Sequence, residues 1–288
     1  MMRTWKSVLL ILGFVLTFLL AATAANAPTL TFKFSPVKVG KLTTEVWGVN
    51  NAGVMVGDYQ DKPGDMHGFM LNGTKVTRIN HPHGSNTVCV HINSNNAIVG
   101  YYGTSKGEKG FLYRKGKFTN IPGPAGAVGS QANGINDQGW IVGGYTTSSG
   151  SSQGFLLKGK TYKTLNVPGA TATVATGINN KGDIVLSWVD TSGNGESSLY
   201  NGKTYKTINV PGALHSIARD INTAGDVIYQ WLPDDFHSHG ALLHDGKYYK
   251  FDCHNSMSTA GAGLNDKDLA VGSCQPVNNL ERGFKATY

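Results

Sequence analysis

Two stretches of the chain combine carboxylates, histidines and aromatic rings, the side chains from which catalytic and binding sites are commonly built. Residues 58–67 form the first stretch, which continues at 80–85, and residues 230–239 form the second. Both lie between segments typical of β-strands, so the sequence predicts loops at these positions. The candidate residues, in these stretches and at an equivalent position elsewhere, are Asp58, Tyr59, His81, His83, Trp188, Trp231, Asp234, Asp235 and His237.

Aromatic rings beside polar side chains suit a sugar, because a sugar ring has apolar faces and many hydroxyl groups. The favoured hypothesis is therefore a binding module for a glycan or for an extracellular or envelope protein. We expect no cofactor for such a module. Its ligand-binding residues would be Tyr59, His81, His83, Trp188, Trp231 and His237.

Two alternatives use the same stretches for other chemistry. A carbohydrate-active hydrolase or lyase needs two carboxylates about 5 to 10 Å apart, one of which stays protonated. Asp58 with either Asp234 or Asp235 would supply this catalytic pair. A divalent metal site would instead use histidines two residues apart, although this spacing on a loop is a weak metal signal. The two histidine pairs are His81 with His83, and His237 with His239.

The elements that must position these residues recur along the chain. An asparagine preceded by an aliphatic residue returns every 43 residues, and a second apolar run follows it. A period of about 20 to 50 residues indicates a repeat architecture, and an asparagine, often with a glycine after it, suits a tight turn between two strands. The six asparagines are Asn50, Asn93, Asn136, Asn179, Asn222 and Asn265.

A second hairpin follows in each repeat, so one unit carries four strands, which we label A to D. The C strand runs into a turn such as Asn72-Gly73, and the D strand ends at a proline such as Pro168. Four strands in about 40 to 50 residues is the size of one propeller blade. The sequence therefore predicts an all-β fold, a six-bladed β-propeller of four-stranded blades, with the B–C and D–A loops on one face.

The two ends of the chain are expected to complete one blade. Residues 31–37 have the pattern of a D strand, whereas the chain stops at Tyr288 directly after a C strand. The last blade then takes strands A to C from the C-terminal end and strand D from the N-terminal end, which closes the ring and covers its edge strands. Residues 28–288 are thus predicted to form one propeller domain of six repeats of about 43 residues.

The repeat unit resembles the bacterial extracellular HAF repeats. Its pattern is Gly-Ile-Asn-x-x-Gly-x-Ile-Val-Gly-x-Tyr, then Gly-Phe-Leu-Leu and Tyr-x-Thr-Ile-Asn-Val-Pro-Gly-Ala, and its clearest copies are Gly134 to Tyr145, Gly154 to Ala170 and Tyr205 to Ala213. The resemblance implies export from a bacterial cell and a β-propeller-like build, and it implies no agreed activity. Copies four and five depart from the pattern at Leu186-Ser187 and Tyr229-Gln230.

Residues 1–25 are predicted to be a secretory signal peptide. Arg3 and Lys6 precede a short apolar core from Val8 to Leu20, and small residues follow, with cleavage expected after Ala24 or Ala25. We expect the mature protein to be secreted or periplasmic, monomeric and without a membrane span; an uncleaved membrane anchor is the alternative. The formal net charge of +7 becomes +5 without the two basic residues of the leader. We expect no nucleic-acid partner for an exported protein.

Two further residue pairs attract attention. Cys253 and Cys274 fall at the same end of neighbouring blades, and export permits disulfides, so a bridge between them is predicted. Cys89 is expected to pack as a small apolar group.

His91 and Asp220 stand two residues before their asparagines in copies two and five, which are opposite in a ring of six. We interpret them as independent drift at solvated positions; alternatively, they face each other in the central channel and bind water or an ion.

Overall fold

In the computed structural model, residues 30–233, 237–276 and 281–288 are described, and these ranges contain 24 β-strands. The strands form six antiparallel four-stranded sheets, which confirms the predicted six-bladed propeller of four-stranded blades. The predicted signal peptide, residues 1–25, lies outside the described residues. Within the described ranges, no helix has the length and apolar character needed to cross a membrane.

The chain builds the blades in sequence order, each from strand A to strand D. Each A strand contacts the A strands of both neighbouring blades, so the A strands surround the channel axis. The strands of blades one to three are β2 (Thr43–Val49), β3 (Met55–Gln60), β4 (Met66–Asn72) and β5 (Lys75–Ile79); β6 (Ser85–Ile92), β7 (Ile98–Thr104), β8 (Gly107–Arg114) and β9 (Lys117–Ile121); and β10 (Gly129–Ile135), β11 (Ile141–Thr146), β12 (Ser152–Lys158) and β13 (Thr161–Leu165). Those of blades four to six are β14 (Ala172–Ile178), β15 (Ile184–Val189), β16 (Gly195–Tyr200) and β17 (Tyr205–Thr207); β18 (His215–Ile221), β19 (Val227–Leu232), β20 (His239–His244) and β21 (Lys247–Phe251); and β22 (Ser256–Leu264), β23 (Leu269–Pro276), β24 (Arg282–Thr287) and β1 (Lys33–Val37).

Blade six is completed by the N-terminal strand, as predicted. Strand β1 pairs with β24, from Lys33 opposite Thr287 to Val37 opposite Gly283. Val37 is buried, and the ring of Phe34 meets that of Phe284 edge-on with 5.2 Å between centroids. A backbone ladder and apolar contacts therefore join the two ends of the propeller domain and cover the edge of β24.

The six repeated asparagines are buried and form a closed ring of hydrogen bonds. Each side-chain nitrogen donates to the backbone oxygen of the next repeated asparagine, over 2.9 to 3.3 Å. The last bond runs from Asn265 to the Asn50 oxygen and ties blade six to blade one. Each side-chain oxygen accepts a hydrogen bond from the backbone nitrogen four residues later, which closes its own A–B turn. The same residue type thus shapes each hairpin and joins the blades.

In each blade, one small and one large residue face each other on strands B and C, so the pair fills a similar volume of the core. In blade three Gly143 faces Phe155, and a Cβ atom on this glycine would lie 2.9 Å from the phenylalanine ring. Blades one, two and six have the same glycine and phenylalanine pair. Blades four and five reverse the sizes, with Leu186 facing Ser198 and Tyr229 facing Ala241. Their departure from the repeat pattern is therefore a reciprocal exchange that keeps the core filled.

This exchange predicts a coupled pair of mutations in blade four. We expect Ser198→Phe alone to destabilise the protein by about 1 to 3 kcal/mol, because the new ring overlaps Leu186. Leu186→Gly alone leaves a cavity, which costs about 2 to 5 kcal/mol. The double variant rebuilds the pair of blade three, so we expect its loss to be smaller than the sum of the single losses by about 1 to 3 kcal/mol. Urea unfolding of the four proteins measures this coupling, and additive losses would contradict it.

Cys253 and Cys274 are joined by a disulfide, and their Cα atoms are 6.2 Å apart. The bond connects the segment after β21 in blade five with β23 in blade six, so two neighbouring blades are linked covalently. Cys89 is fully buried in the cluster that contains Ile92 and Phe111. Burial raises the pKa of the Cys89 thiol, which keeps this side chain protonated and apolar.

Candidate ligand-binding pocket

Two of the aromatic residues that were predicted to bind a ligand belong instead to the core between blades. Tyr59 is 7% exposed and packs in the cluster that contains Val46 and Phe69. Trp231 is 8% exposed, and its Nε1 donates a hydrogen bond to the Gly240 oxygen at 3.2 Å, which satisfies its polar atom inside the protein. Neither ring offers a surface to a ligand in this structure, which corrects their prediction as ligand-binding residues.

The extent of the B strands explains this placement. Strands β3, β15 and β19 continue to Gln60, Val189 and Leu232, past the predicted start of the loops. The residue nine positions after a repeated asparagine therefore still lies in a strand and joins a core cluster. An aromatic residue recurs at this position in five of the six copies, and this recurrence already indicated a structural role. These aromatic residues are Tyr59, Tyr102, Tyr145, Trp188 and Trp231.

His81 is also a core residue. It is 4% exposed, and its ring stacks on that of Tyr102 with 3.5 Å between centroids and 7° between planes. Its Nδ1 accepts a hydrogen bond from the backbone nitrogen of His83 at 3.3 Å. Burial lowers the pKa of His81, so the ring stays neutral. This burial corrects the prediction of His81 as a ligand-binding or metal-binding residue, whereas His83 is exposed.

The histidines of blade five do not form a larger cluster with other metal-binding side chains among the described residues. His237 is exposed, and His239 Nδ1 lies 2.9 Å from Asp252 Oδ2. Within residues 30–233, 237–276 and 281–288, no group of three or more His, Cys, Asp or Glu is placed to hold a metal ion. Asp234 and Asp235, the predicted catalytic residues of this loop, lie outside the described residues.

Asp58, the other predicted catalytic residue, lies inside the protein. It is 3% exposed in β3 and accepts a hydrogen bond from Trp47 Nε1 at 2.7 Å. Burial raises the pKa of Asp58 to about 7, against the opposing effect of the Trp47 hydrogen bond. Asp58 is not among the residues that line the axial pocket described below, and its catalytic role stays a prediction. Its role in the structure is to hold the Trp47 indole.

Trp188 is the predicted aromatic that borders a surface groove. The ring is half-buried, and its Nε1 donates a hydrogen bond to Ser198 Oγ at 3.0 Å. The groove, of about 430 Å³, is also lined by Glu196 and His215. The His215 Nδ1 accepts a hydrogen bond from the Gly195 backbone nitrogen at 2.8 Å, so this ring is held in place. The groove is a shallow surface feature.

The structure reveals a pocket of about 150 Å³ in the central channel, which the sequence prediction missed. The lining residues come mainly from the position three residues before each repeated asparagine, so the pocket lies on the side of the asparagine ring that faces the B–C and D–A loops. No two repeats carry the same residue at this position. This variety was the feature of the sequence from which the pocket could have been predicted. The residues there are Trp47, Val90, Asn133, Thr176, Arg219 and Ala262, and the wall also includes Tyr101 and Gln131.

His91 and Asp220 meet across the channel below this pocket. His91 Nε2 lies 3.2 Å from Asp220 Oδ2, which also accepts a hydrogen bond from the Leu264 backbone nitrogen at 3.2 Å. Asp220 is 2% exposed, so the interpretation as drift at solvated positions is corrected. Burial alone would lower the pKa of His91, but the charge and hydrogen bond of Asp220 outweigh it and raise this pKa. The other four repeats have glycine here, which leaves room for the pair.

Arg219 is the charged side chain of the pocket wall. Its guanidinium carbon lies 5.6 Å from the centre of the Trp47 ring, and its Nη2 donates a hydrogen bond to Gln230 Oε1. The Nε is buried without a hydrogen-bond partner. In the described part of the chain, no carboxylate lies within ion-pair distance of Arg219. Burial lowers the pKa of Arg219, while Tyr101 and Glu45 oppose this shift.

Three carboxyl groups lie close to the Trp47 side of the pocket. Glu45 stands two residues before Trp47 on β2 and opposite Asp58 on β3, and Glu281 Oε1 accepts a hydrogen bond from Ser273 Oγ at 2.7 Å. Burial, followed by the charges of Asp58 and Glu281, raises the pKa of Glu45 to about 9. Glu45 is therefore mostly protonated at neutral pH and does not neutralise the guanidinium of Arg219.

Comparisons with solved structures find other propellers. A mutant of AofleA from Arthrobotrys oligospora is 11% identical with a TM-score of 0.56, over 91% of this chain and 88% of that chain. The SapL1 lectin in complex with alpha methyl fucoside is 11% identical with a TM-score of 0.54, over 82% and 89%. The β-propeller domain of the Trilobed protease from Pyrococcus furiosus is 11% identical with a TM-score of 0.54, over 85% and 79%.

These similarities show that the chain shares the propeller fold. No protein-family model matches the sequence, and a comparison with curated proteins finds no match.

Proposed function

We propose that the protein is an exported propeller that binds a glycan, and that one sugar unit enters the axial pocket from the loop face. The observation that carries this proposal is the composition of the pocket wall. An indole, a phenol, two amides, a hydroxyl and a guanidinium from five blades surround one cavity of about 150 Å³. Aromatic rings cover the apolar face of a sugar, and a few fixed polar groups orient its hydroxyls.

The polar groups of the wall offer complementary hydrogen bonds. The hydroxyl proton of Thr176 is directed to the Ala218 oxygen at 2.7 Å, so this hydroxyl presents only its lone pairs to the pocket. Asn133 uses its amide nitrogen to donate to the Ala175 oxygen at 3.1 Å. Arg219 presents donors alone. A sugar hydroxyl both donates and accepts, and therefore matches the acceptors and the donors of this wall.

The volume limits the occupant to a small unit. About 150 Å³ corresponds to the space of about five water molecules. His91 and Asp220 close the channel below the pocket, so a longer glycan would extend outwards past the loops. We therefore propose recognition of a single ring, such as a chain end or a side branch, rather than a polysaccharide threaded through the propeller.

The comparisons and the sequence support the same proposal. SapL1 is a lectin solved with alpha methyl fucoside, so this architecture is compatible with sugar binding. We further propose that residues 1–25 direct export and that the repeats belong with the HAF repeats. A protein exported in this way meets glycans of the envelope or of the surroundings.

The test is calorimetric titration of the mature protein with monosaccharides and short oligosaccharides. We expect Trp47→Ala to weaken binding of an active sugar by at least about tenfold, because the apolar face loses its platform. Thr176→Val, which keeps the shape and removes the acceptor, should weaken it less. Trp140→Ala is the matched control, since Trp140 lies in an A–B turn at the opposite end of the propeller.

The outcomes separate the site from the function. A sugar that binds equally well to the Trp47→Ala and Thr176→Val variants would place its site elsewhere, with the groove beside Trp188 as the next candidate. The absence of binding by any sugar would refute the proposed function. Thermal unfolding gives an independent readout, because a ligand at about 100 times its dissociation constant stabilises the native state by about 2.7 kcal/mol.

A further inference from the structure

Arg219 carries a positive charge that the described residues do not balance. Among the described residues it has no ion pair, and its one hydrogen bond there runs from Nη2 to Gln230 Oε1. The Nε atom is buried without a partner. A charge removed from water is costly unless it is paired and hydrogen-bonded. A ligand that supplied the missing negative charge would therefore gain more here than on an exposed surface.

The three acidic groups on the Trp47 side of the pocket form no ion pair with Arg219 among the described residues. Glu45 holds a proton near neutral pH, Asp58 accepts a hydrogen bond from Trp47, and Glu281 accepts one from Ser273. The remaining pocket wall is neutral apart from His91, which is paired with Asp220 on the floor. The guanidinium therefore lines the cavity as a charged group without a counter-ion, whereas the three carboxyl groups are not part of the lining.

We propose that the sugar unit taken by the axial pocket is a uronic acid, and that its ring carboxylate pairs with the guanidinium of Arg219. This inference rests on the proposed glycan-binding function. The guanidinium is a planar fork that matches the two oxygens of a carboxylate. The Trp47 indole beside it provides the apolar surface on which the sugar ring lies, and Asn133 and Thr176 accept hydrogen bonds from its hydroxyls.

Binding of such a ligand should weaken as the pH rises. The titratable groups that face Arg219 are Glu45 on β2 and Tyr101 on β7, and Glu45 in turn adjoins Asp58 and Glu281. Asp58 loses its proton near pH 7 and Glu45 near pH 9. Each new carboxylate repels the ligand, and that of Glu45 also competes for Arg219. We expect the affinity for glucuronate to fall between about pH 6 and about pH 9, whereas the affinity for glucose should change less.

The experiment compares glucuronate with glucose and galacturonate with galactose by calorimetry, with acetate as the carboxylate without a sugar ring. We expect the uronate of at least one pair to bind at least about tenfold more tightly than its neutral partner. Arg219→Gln should remove this preference, because it should weaken the binding of the uronate far more than the binding of its neutral partner. Arg219→Lys, which keeps a charge without the fork, should retain part of it. Arg114→Gln is the control, because it removes the same charge from an exposed strand end.

Each result has a distinct meaning. Neutral sugars that bind as tightly as uronates, with no effect of Arg219→Gln, would overturn this inference and leave the proposed function intact. Acetate that binds as tightly as glucuronate would show an anion site without sugar recognition and overturn it as well. If no sugar binds, the proposed function and this inference fail together. The unfolding midpoint of each variant verifies that a lost preference does not reflect a lost fold.

Discussion

Removal of residues 31–37 is expected to abolish the stable closed ring. This segment contributes the five residues of β1 that pair with β24, the buried side chain of Val37 and the ring contact of Phe32 with Phe251 at 4.5 Å. Burial of one Val or Phe side chain stabilises by about 1.5 to 3 kcal/mol, whereas a whole domain is stable by about 5 to 15 kcal/mol. Loss of the strand therefore removes a large fraction of the total stability.

The same deletion exposes the edge of β24, which is a template for pairing with another chain. We expect the protein without residues 1–37 to unfold at much lower urea concentration and to form oligomers in size-exclusion chromatography. The matched control lacks residues 1–30 alone and keeps β1, so it should unfold like the mature protein. An unchanged midpoint and a monomeric profile after the longer deletion would show that the ring does not depend on this closure.

The second large effect is expected in the asparagine ring. Asn136 is 3% exposed; its side-chain oxygen accepts a hydrogen bond from the Trp140 backbone nitrogen, and its nitrogen donates to the Asn179 oxygen at 3.2 Å. Asn136→Asp keeps the acceptor that closes the turn but removes the donor between blades. A buried acceptor left without a partner costs about 1 to 3 kcal/mol, and more where a charge is added. We therefore expect a loss of at least about 2 kcal/mol near pH 7.

The pH dependence of this loss tests its cause. The new carboxyl group is buried and faces a carbonyl oxygen, so its pKa in the folded state should exceed that in the unfolded state. Its protonated form regains a donor, so the loss should shrink as the pH falls. Asn95→Asp is the control, because Asn95 is an exposed residue of the equivalent turn in blade two. A loss in urea unfolding that is equal in both variants, or independent of pH, would argue against the bond between blades.

Blade number and closure were accessible from the sequence because their determinants are local and repeated. Each turn depends on an asparagine and often a glycine within a few residues, and each strand on the apolar pattern around them. The period of 43 residues counts the blades, and the strand pattern at residues 31–37 identifies the closing strand. The hydrogen bonds that join the asparagines of neighbouring blades could not be predicted from the sequence. Each partner lies in the following repeat, and the two meet only in the assembled ring.

The prediction that Tyr59 and Trp231 bind a ligand was wrong for a related reason. Tyr59 and Trp231 follow a B strand in what reads as a loop, but β3 and β19 extend through them. Strand alternation then directs these side chains into the core between blades. Local sequence does not reveal where a strand stops when the neighbouring strand continues the ladder, so only the packed blade decides whether such a ring is buried.

The sequence by itself determined the propeller, its six four-stranded blades and its closure by the N-terminal strand. The tertiary structure alone decided the pocket, because its walls come from residues of all six blades, which converge only around the axis. Arg219 and Trp47 look like isolated strand residues along the chain, yet their side chains are neighbours in the wall of one cavity. The physical reason is that turns and strands depend on neighbours in sequence, whereas a binding site in a ring depends on the side chains that the ring brings together.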